Sequence, residues 1–128
     1  MIVAIGTDLV EVDRIRQAAE GHGGFLDRVF TEQEQKDCRE GGHLWQGLAG
    51  RFAAKEAFLK VCGQGIFALD LRDIEVVRLP SGAPGYRLHN RAEELARDLG
   101  IGRVHLSISH EKTMALAVAV GEDNCENR

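Results

Sequence analysis

The stretch RFAAKEAFLK, Arg51 to Lys60, constrains the fold more than any other part of the chain. On a helix, at about 100° per residue, it forms an apolar side that is expected to face the core. Glu56 lies at the edge of this side, and Lys60 follows one turn later on the same surface. The predicted helix runs from about residue 43 to Cys62, and Gly63 would end it. Its core side is predicted to comprise Leu44, Leu48, Phe52, Leu59 and Cys62.

The charged residues of this stretch allow two interpretations. A Glu and a Lys four residues apart stabilise an exposed helix by only about a few tenths of a kcal/mol, and this role needs no ligand. Alternatively, the carboxylate of Glu56 could hold a metal ion while the ammonium of Lys60 faces a phosphate. Lys55 lies nearer the apolar side, which predicts either a buried ion pair or a stem that follows apolar surface to water.

The regions around the long helix are predicted to form strands and shorter helices. The apolar run Ile2 to Ile5 predicts a buried strand that the following Gly-Thr-Asp would end, which puts Asp8 near a strand end. Thr31 and Glu34 form a capping box for another helix, and Asn90 with Glu93 would cap a later one. Further strands are predicted over residues 73–79, 86–88, 104–109 and 114–120, the last two as a hairpin. This order predicts an α+β fold in which an antiparallel sheet packs against one long helix and shorter helices.

The composition is that of an ordinary globular domain, with 128 residues, 44% hydrophobic and 28% charged. We expect a single domain over residues 1–121 and a polar tail over residues 122–128. No apolar run approaches the roughly 18 residues of a membrane span, and the first residues lack the basic region of a signal peptide. The three cysteines match neither a disulfide framework nor a zinc motif. These features predict a cytoplasmic protein without a membrane partner, and the net charge of −4 argues against general nucleic-acid binding.

Polar residues near the ends of predicted strands complete the candidate site. Asp8 and Glu56 would suit Mg²⁺, which usually takes one or two carboxylates and fills its octahedron with water and substrate phosphate. Ser109 and His110 end another predicted strand, where they could face a cleft. An aspartate in a turn also forms local Asx-turns, and a histidine in a hairpin is often structural. These residues alone therefore leave the function open.

Three blocks of sequence together identify a family. They are IVAIGTDLVEVDRI at residues 2–15, LAGRFAAKEAFLKVCGQG at residues 48–65 and HLSISHEKTMALAVAV at residues 105–120. In this order they resemble the holo-[acyl-carrier-protein] synthases, the small bacterial type of 4′-phosphopantetheinyl transferase. The resemblance covers nearly the whole chain and implies the 4′-phosphopantetheinyl transferase fold. It departs from the family at Leu71, where an aromatic residue is frequent, and at Val61, where alanine is frequent.

The resemblance implies a reaction between coenzyme A and a protein. The 4′-phosphopantetheine group would pass to a serine of apo acyl carrier protein, with release of adenosine 3′,5′-bisphosphate, for fatty acid biosynthesis. Asp8 and Glu56 match the family's metal ligands for Mg²⁺, with Mn²⁺ as the alternative, and Lys60 matches the lysine beside the pyrophosphate. These three residues are therefore the predicted catalytic residues. The base that takes the serine proton is either Glu56 or a metal-held water.

The resemblance also implies a binding site for coenzyme A. Ser109 and His110 match a family segment near the nucleotide, and Gly82 and Pro84 match a loop lining the same cleft. Instead of binding coenzyme A, Pro84 could be a plain turn residue and Arg51 a solvated residue of the helix. The complete set predicted to bind coenzyme A is Arg51, Lys60, Gly63, Gly65, Gly82, Pro84, Ser109 and His110.

Recognition of the carrier protein and of other subunits is implied in the same way. Arg14 and Arg28 match arginines that pair with acidic residues of the carrier, and Phe25 could supply an apolar contact between them. Alternatively, the arginines are ordinary solvated charges and Phe25 is a core residue. The segment Gly21 to Gly24 is poorer in basic residues than in many relatives. The family forms homotrimers with active sites between subunits, and the strand Met114 to Val120 is the predicted packing surface.

Two functions of other classes remain as alternatives. A catalytically silent module that binds a carrier protein or a nucleotide would be expected to lack one of the charged residues, yet Asp8, Glu56 and Lys60 are all present. A magnesium-dependent phosphohydrolase would use the same carboxylates to activate water instead of a serine hydroxyl.

Overall fold

A computed structural model describes residues 1–124, which form five strands and five α-helices, one of them central to the fold. Two antiparallel sheets are present among these residues, one with strand order β1-β5-β4 and one made of β2 and β3. The predicted α+β architecture is confirmed. The elements are β1 (Ile2–Glu11), α1 (Val12–Gly21), α2 (Phe25–Val29), α3 (Glu32–Glu40), α4 (Leu44–Val61), β2 (Ile74–Arg78), β3 (Pro84–Leu88), α5 (Asn90–Asp98), β4 (Ile101–His110) and β5 (Met114–Asp123).

Helix α4 is the predicted long helix, but it is buried on more than one side. Of the predicted core side, Leu44 and Phe52 are only partly buried. The fully buried residues of α4 include alanines that lie elsewhere on its circumference, namely Ala49, Ala53, Ala54 and Ala57. The prediction of a single core side is wrong because α4 packs on the three-stranded sheet and also contacts α1, α3 and β2. A helix enclosed in this way is apolar on most of its surface.

Strand β1 does not end at Gly6, as predicted, but continues past Asp8 to Glu11. A Cβ atom at residue 6 would lie 2.1 Å from the carbonyl oxygen of Ala57, so only glycine allows β1 to approach α4 this closely. Asp8 pairs with Ala117, which is fully buried beneath α4. Since paired residues share a face of the sheet, the side chain of Asp8 lies on the face toward the helix.

The predicted ends of several helices are confirmed. Thr31 Oγ1 accepts a hydrogen bond from the Glu34 N–H at 3.1 Å, and Glu34 Oε1 accepts one from the Thr31 N–H at 2.9 Å, which completes the capping box. Gly63 has a φ of +67° immediately after α4, a conformation that favours glycine. These local signals mark helix ends independently of the tertiary fold.

Several other boundaries also differ from the prediction. Asn90 does not cap α5 but is its first residue, and its side chain donates to Asp73 instead. Pro84 begins β3 rather than lying in the preceding turn. Strand β5 extends through Asp123, beyond the predicted domain boundary at residue 121, because both neighbouring strands pair with it there. The end of the predicted polar tail, residues 125–128, lies outside the described residues. No helix within residues 1–124 has the length and apolar character needed to span a membrane.

Candidate active site

The structure brings Asp8, Glu56 and Lys60 together where β1 crosses α4. The ammonium of Lys60 donates to the carbonyl oxygen of Thr7 at 2.8 Å and lies 3.4 Å from Asp8 Oδ1. The Lys60 side chain is 55% exposed, whereas that of Asp8 is only 12% exposed. A largely buried carboxylate thus faces a cation whose outer side remains open to a ligand.

The two carboxylates are close enough to perturb each other. Burial, a side-chain hydrogen bond to Asp8 and the negative charge of Asp8 together raise the pKa of Glu56 to about 7, while Lys60 opposes the shift. Asp8 Oδ2 is buried, and it has no hydrogen-bond partner among the described residues. Two adjacent carboxylates, one with an unpaired buried oxygen, fit a divalent cation that binds between them.

Within residues 1–124, no group of three or more His, Cys, Asp or Glu side chains could form a metal cage. This arrangement differs from a zinc site, which takes three or four protein ligands. It agrees with Mg²⁺, for which the remaining positions are filled by water and by the phosphate of a substrate.

We expect the carboxyl of Glu56 to titrate near pH 7 in the metal-free protein, and Asp8→Asn to lower this pKa. The substitution removes the charge of Asp8, but burial still keeps the pKa above the ordinary value for glutamate. Carbon-13 NMR of the labelled side-chain carboxyls measures both values. A Glu56 carboxyl that titrates at its ordinary pKa in the unsubstituted protein would contradict the proposed contact.

The carboxylate cleft, as we call the cavity that contains Asp8 and Glu56, extends over about 560 Å³ toward helix α1. Arg14 and Phe25, both predicted to bind a carrier protein, line it. Arg14 is exposed, and Phe25 is partly buried against the core. Arg28 is exposed on α2 but is not among the residues that line this cleft. Two of the three predicted carrier-binding residues therefore border the candidate catalytic residues.

A second cavity, the arginine cleft, brings together four residues predicted to bind coenzyme A. Arg51, Gly82, Pro84 and His110 line this cavity of about 190 Å³. Arg51 Nε is buried, and it has no hydrogen-bond partner among residues 1–124. The remaining lining residues are Gly47, Gly50, Val76, Val77, Arg78 and Ile108.

Sequence reasoning missed Arg78, which lines the arginine cleft together with Arg51. Arg78 is the last residue of β2 and belongs to no motif, so its position depends on how the β2–β3 hairpin packs beside α4. Two guanidinium groups at one cavity suit a ligand that carries phosphate. The only sequence signal for Arg78 is a cation at the end of a strand rich in β-branched residues.

Besides Lys60, which contacts Asp8 but lines neither cleft, three other residues predicted to bind coenzyme A lie outside both clefts. Ser109 precedes His110 in β4, so its side chain points to the opposite face of the sheet. Gly63 ends α4, and the carbonyl oxygen of Gly65 accepts a hydrogen bond from the Ala68 N–H in the following turn. None of the three lines the carboxylate cleft or the arginine cleft.

The two clefts lie on different sides of α4. Arg51 and Glu56 are five residues apart, which places them about 140° apart around the helix and about 7.5 Å apart along it. No residue within 1–124 lines both clefts. One chain therefore presents two separate cavities, one with carboxylates and one with guanidinium groups.

Comparison with known proteins identifies the family. The model of the 4′-phosphopantetheinyl transferase superfamily matches residues 4–118. The chain belongs to this superfamily. It is 43% identical over 120 residues to holo-[acyl-carrier-protein] synthase of Alkaliphilus oremlandii, covering 94% of this chain and 98% of the relative.

Solved structures of this superfamily have the same fold. The holo-[acyl-carrier-protein] synthase of Neisseria meningitidis is 37% identical, with a TM-score of 0.85 over 96% of this chain and all of that chain (100%). The enzyme of Bacillus anthracis, solved in complex with CoA (3′,5′-ADP), is also 37% identical, with a TM-score of 0.78 over 97% of this chain and 99% of that chain. The resemblance and the fold predicted from the three sequence blocks are confirmed.

Proposed function

We propose that this chain transfers the 4′-phosphopantetheine group of coenzyme A to a serine of apo acyl carrier protein and releases adenosine 3′,5′-bisphosphate. The observation that carries the proposal is the cluster of Asp8, Glu56 and Lys60 in a chain of the 4′-phosphopantetheinyl transferase superfamily. The relative solved with coenzyme A supports the choice of donor substrate. Fatty acid biosynthesis in the cytoplasm is the proposed setting.

In the proposed reaction, the serine oxygen forms a bond to the β-phosphorus of coenzyme A while the bond from this phosphorus to the leaving bisphosphate breaks. Asp8 and Glu56 would hold Mg²⁺ or Mn²⁺, which as a Lewis acid stabilises charge on the phosphoryl oxygens. Lys60, kept beside Asp8 by its hydrogen bond to Thr7, offsets negative charge on the leaving group. The base that accepts the serine proton would be either Glu56 or a water held by the metal ion.

The proposed carrier surface surrounds the entrance to the carboxylate cleft. Arg14 lines the cleft and Arg28 is exposed on the neighbouring helix, so both can meet acidic residues of a carrier protein. Phe25 supplies apolar surface between them. Because the net charge of this chain is −4, attraction to an acidic partner must come from such local groups.

The proposed homotrimer would use the outer face of the three-stranded sheet, which faces away from α4. Ile5 and Leu9 of β1 are each 60% exposed there, and Leu116 of β5 is 40% exposed. The alanines of the predicted packing strand, Ala115, Ala117 and Ala119, point inward instead and are fully buried. An apolar patch of this kind is typical of an interface. Association through it could bring the carboxylate cleft of one subunit to the arginine cleft of the next.

A direct assay tests the proposed activity. The chain is incubated with coenzyme A, Mg²⁺ and apo acyl carrier protein, and the carrier is then weighed by mass spectrometry. A gain equal to the mass of phosphopantetheine is expected, and the absence of this gain would reject the proposal. Hydrolysis of coenzyme A without transfer would instead favour a phosphohydrolase.

Complementation between inactive variants tests whether two subunits share each site. Glu56→Gln impairs the carboxylate cleft and His110→Ala the arginine cleft, so each variant alone is expected to have low activity. In oligomers assembled from equal amounts of both, about one site in four would combine two intact clefts. Activity well above that of either variant is expected in a transfer assay after co-refolding. Mixed oligomers without any gain would contradict shared sites.

A further inference from the structure

Lys55, directly before Glu56, lies in neither cleft but has a fully buried ammonium group. Its Nζ lies 2.9 Å from Glu34 Oε1 and donates to the carbonyl oxygens of Leu71 at 2.7 Å and Ile74 at 2.8 Å. The side chains of Lys55 and Glu34 are both 0% exposed. The buried ion pair that was one of two expectations for Lys55 is confirmed, and it also holds the backbone that leads into β2.

Glu34 extends these contacts to the strand itself. Its Oε2 accepts a hydrogen bond from the Val76 N–H at 2.8 Å. The Lys55–Glu34 pair therefore contacts the backbone at three positions, Leu71, Ile74 and Val76, over the 3-10 turn (Leu71–Asp73) and the first half of β2. One ion pair thus ties helix α4, helix α3 and strand β2 together.

Within residues 1–124, the β2–β3 hairpin is joined to α4 by a second side-chain hydrogen bond. It forms its own two-stranded sheet rather than extending the larger sheet. On β3, the hydroxyl of Tyr86 donates to the carbonyl oxygen of Ala54, the residue before Lys55. Two adjacent residues of α4 therefore hold the two strands of the hairpin.

The arginine cleft is lined by residues of both the β2–β3 hairpin and α4. Arg78, Gly82 and Pro84 belong to the hairpin, while Gly50 and Arg51 belong to α4. Any change in the distance between hairpin and helix changes the separation of Arg78 and Arg51. The width of the cleft is thus coupled to the contacts of Lys55.

Stability alone is a weak reason for such an ion pair. The desolvation of two buried charges offsets most of their attraction, and apolar residues of similar volume often give equal or greater stability. An apolar pair, however, could not form hydrogen bonds with three backbone positions in the 3-10 turn and β2. The geometry of the contacts is what distinguishes Lys55 and Glu34 from such a replacement.

We propose that Lys55, through Glu34, is a positioning residue that sets the width of the arginine cleft for the nucleotide phosphates of coenzyme A. This inference rests on the proposed function. Lys55 then acts on the binding of coenzyme A and not on the transfer step at Glu56. Loss of its contacts should raise the KM for coenzyme A and leave kcat nearly unchanged, since the Asp8–Lys60 contacts are made on the other side of α4.

Two variants separate this role from a general effect on folding. The double variant Glu34→Gln with Lys55→Met leaves neither residue as an unpaired buried charge. It loses the two backbone hydrogen bonds of Lys55 and weakens the one between residue 34 and Val76. Tyr86→Phe removes only the attachment of β3 to Ala54 and is expected to fold normally. We expect the double variant to raise the KM for coenzyme A about tenfold with kcat within about twofold, the pattern of lost ground-state binding. Tyr86→Phe should give a smaller change of the same kind.

Calorimetry with adenosine 3′,5′-bisphosphate should show a matching loss of affinity, and hydrogen exchange at Val76 should become faster in the double variant. Lys36→Met, an exposed lysine on α3, is the matched control and should change none of these values. A variant with reduced kcat and unchanged KM, or with both constants unchanged, would overturn the positioning role. If the wild-type protein neither transfers phosphopantetheine nor binds coenzyme A, the proposed function itself is rejected, whatever the variants show.

Discussion

Substitution of Glu56 by Gln is expected to abolish metal-dependent phosphopantetheine transfer while leaving the fold intact. Gln has nearly the same shape, but it carries no negative charge and cannot accept the serine proton. The substitution removes one of the two carboxylates that would hold the metal ion. The other carboxylate, Asp8, keeps an unpaired buried oxygen. A positioned acid–base group alone contributes about 10²–10⁴-fold to a rate, so we expect a loss of at least this size.

The transfer assay is best combined with a measurement of Mg²⁺ affinity and of the unfolding midpoint. Glu94→Gln replaces an exposed carboxylate on α5 and serves as the matched control, with no expected change. Removal of the charge of Glu56 relieves its repulsion with Asp8 in the metal-free protein, so Glu56→Gln should not be less stable. A variant that retains turnover would show that Glu56 has only a structural role.

Local sequence signals predicted the parts of the fold that depend on local chemistry. The capping box at Thr31 and Glu34 and the glycine after α4 need only nearby backbone groups, and both were identified correctly. Gly6 was misinterpreted as the end of a strand because glycine is also frequent in turns. Glycine is required at this position because an added Cβ would lie 2.1 Å from the carbonyl oxygen of Ala57 in α4, a residue far away in the sequence. A contact of this kind cannot be read from the local pattern.

The candidate site shows the same division between local and distant contacts. The family resemblance named Asp8, Glu56 and Lys60, and the structure places them together, although their roles stay predictions. Ser109 was grouped with His110, but the alternation of side chains along a strand puts the two on opposite faces. That signal was available in the sequence. Arg78 could not be placed, because its position depends on the packing of the hairpin.

Lys55→Met is expected to lower the free energy of unfolding by about 3–5 kcal/mol, the usual cost of removing one partner of a buried ion pair. Met fills much of the same volume, but Glu34 then remains fully buried without its cation, and the carbonyl oxygens of Leu71 and Ile74 lose the hydrogen bonds from Lys55. Urea denaturation monitored by circular dichroism measures the change, and the exposed Lys36→Met should stay within about 0.5 kcal/mol of wild type.

A double-mutant cycle separates the loss of unfolding free energy in Lys55→Met from the stabilising contribution of the ion pair. If most of the cost comes from the unpaired charge of Glu34, then Glu34→Gln in the Lys55→Met background should restore much of the lost stability, with a coupling energy of about 1–3 kcal/mol. Additive losses would contradict a direct interaction between the two side chains. A double variant that regains stability but binds coenzyme A poorly would separate the two properties. The role of the ion pair would then be to position the β2–β3 hairpin. Neutral residues can give the protein the same stability, but they cannot form the contacts of the ion pair with three backbone groups.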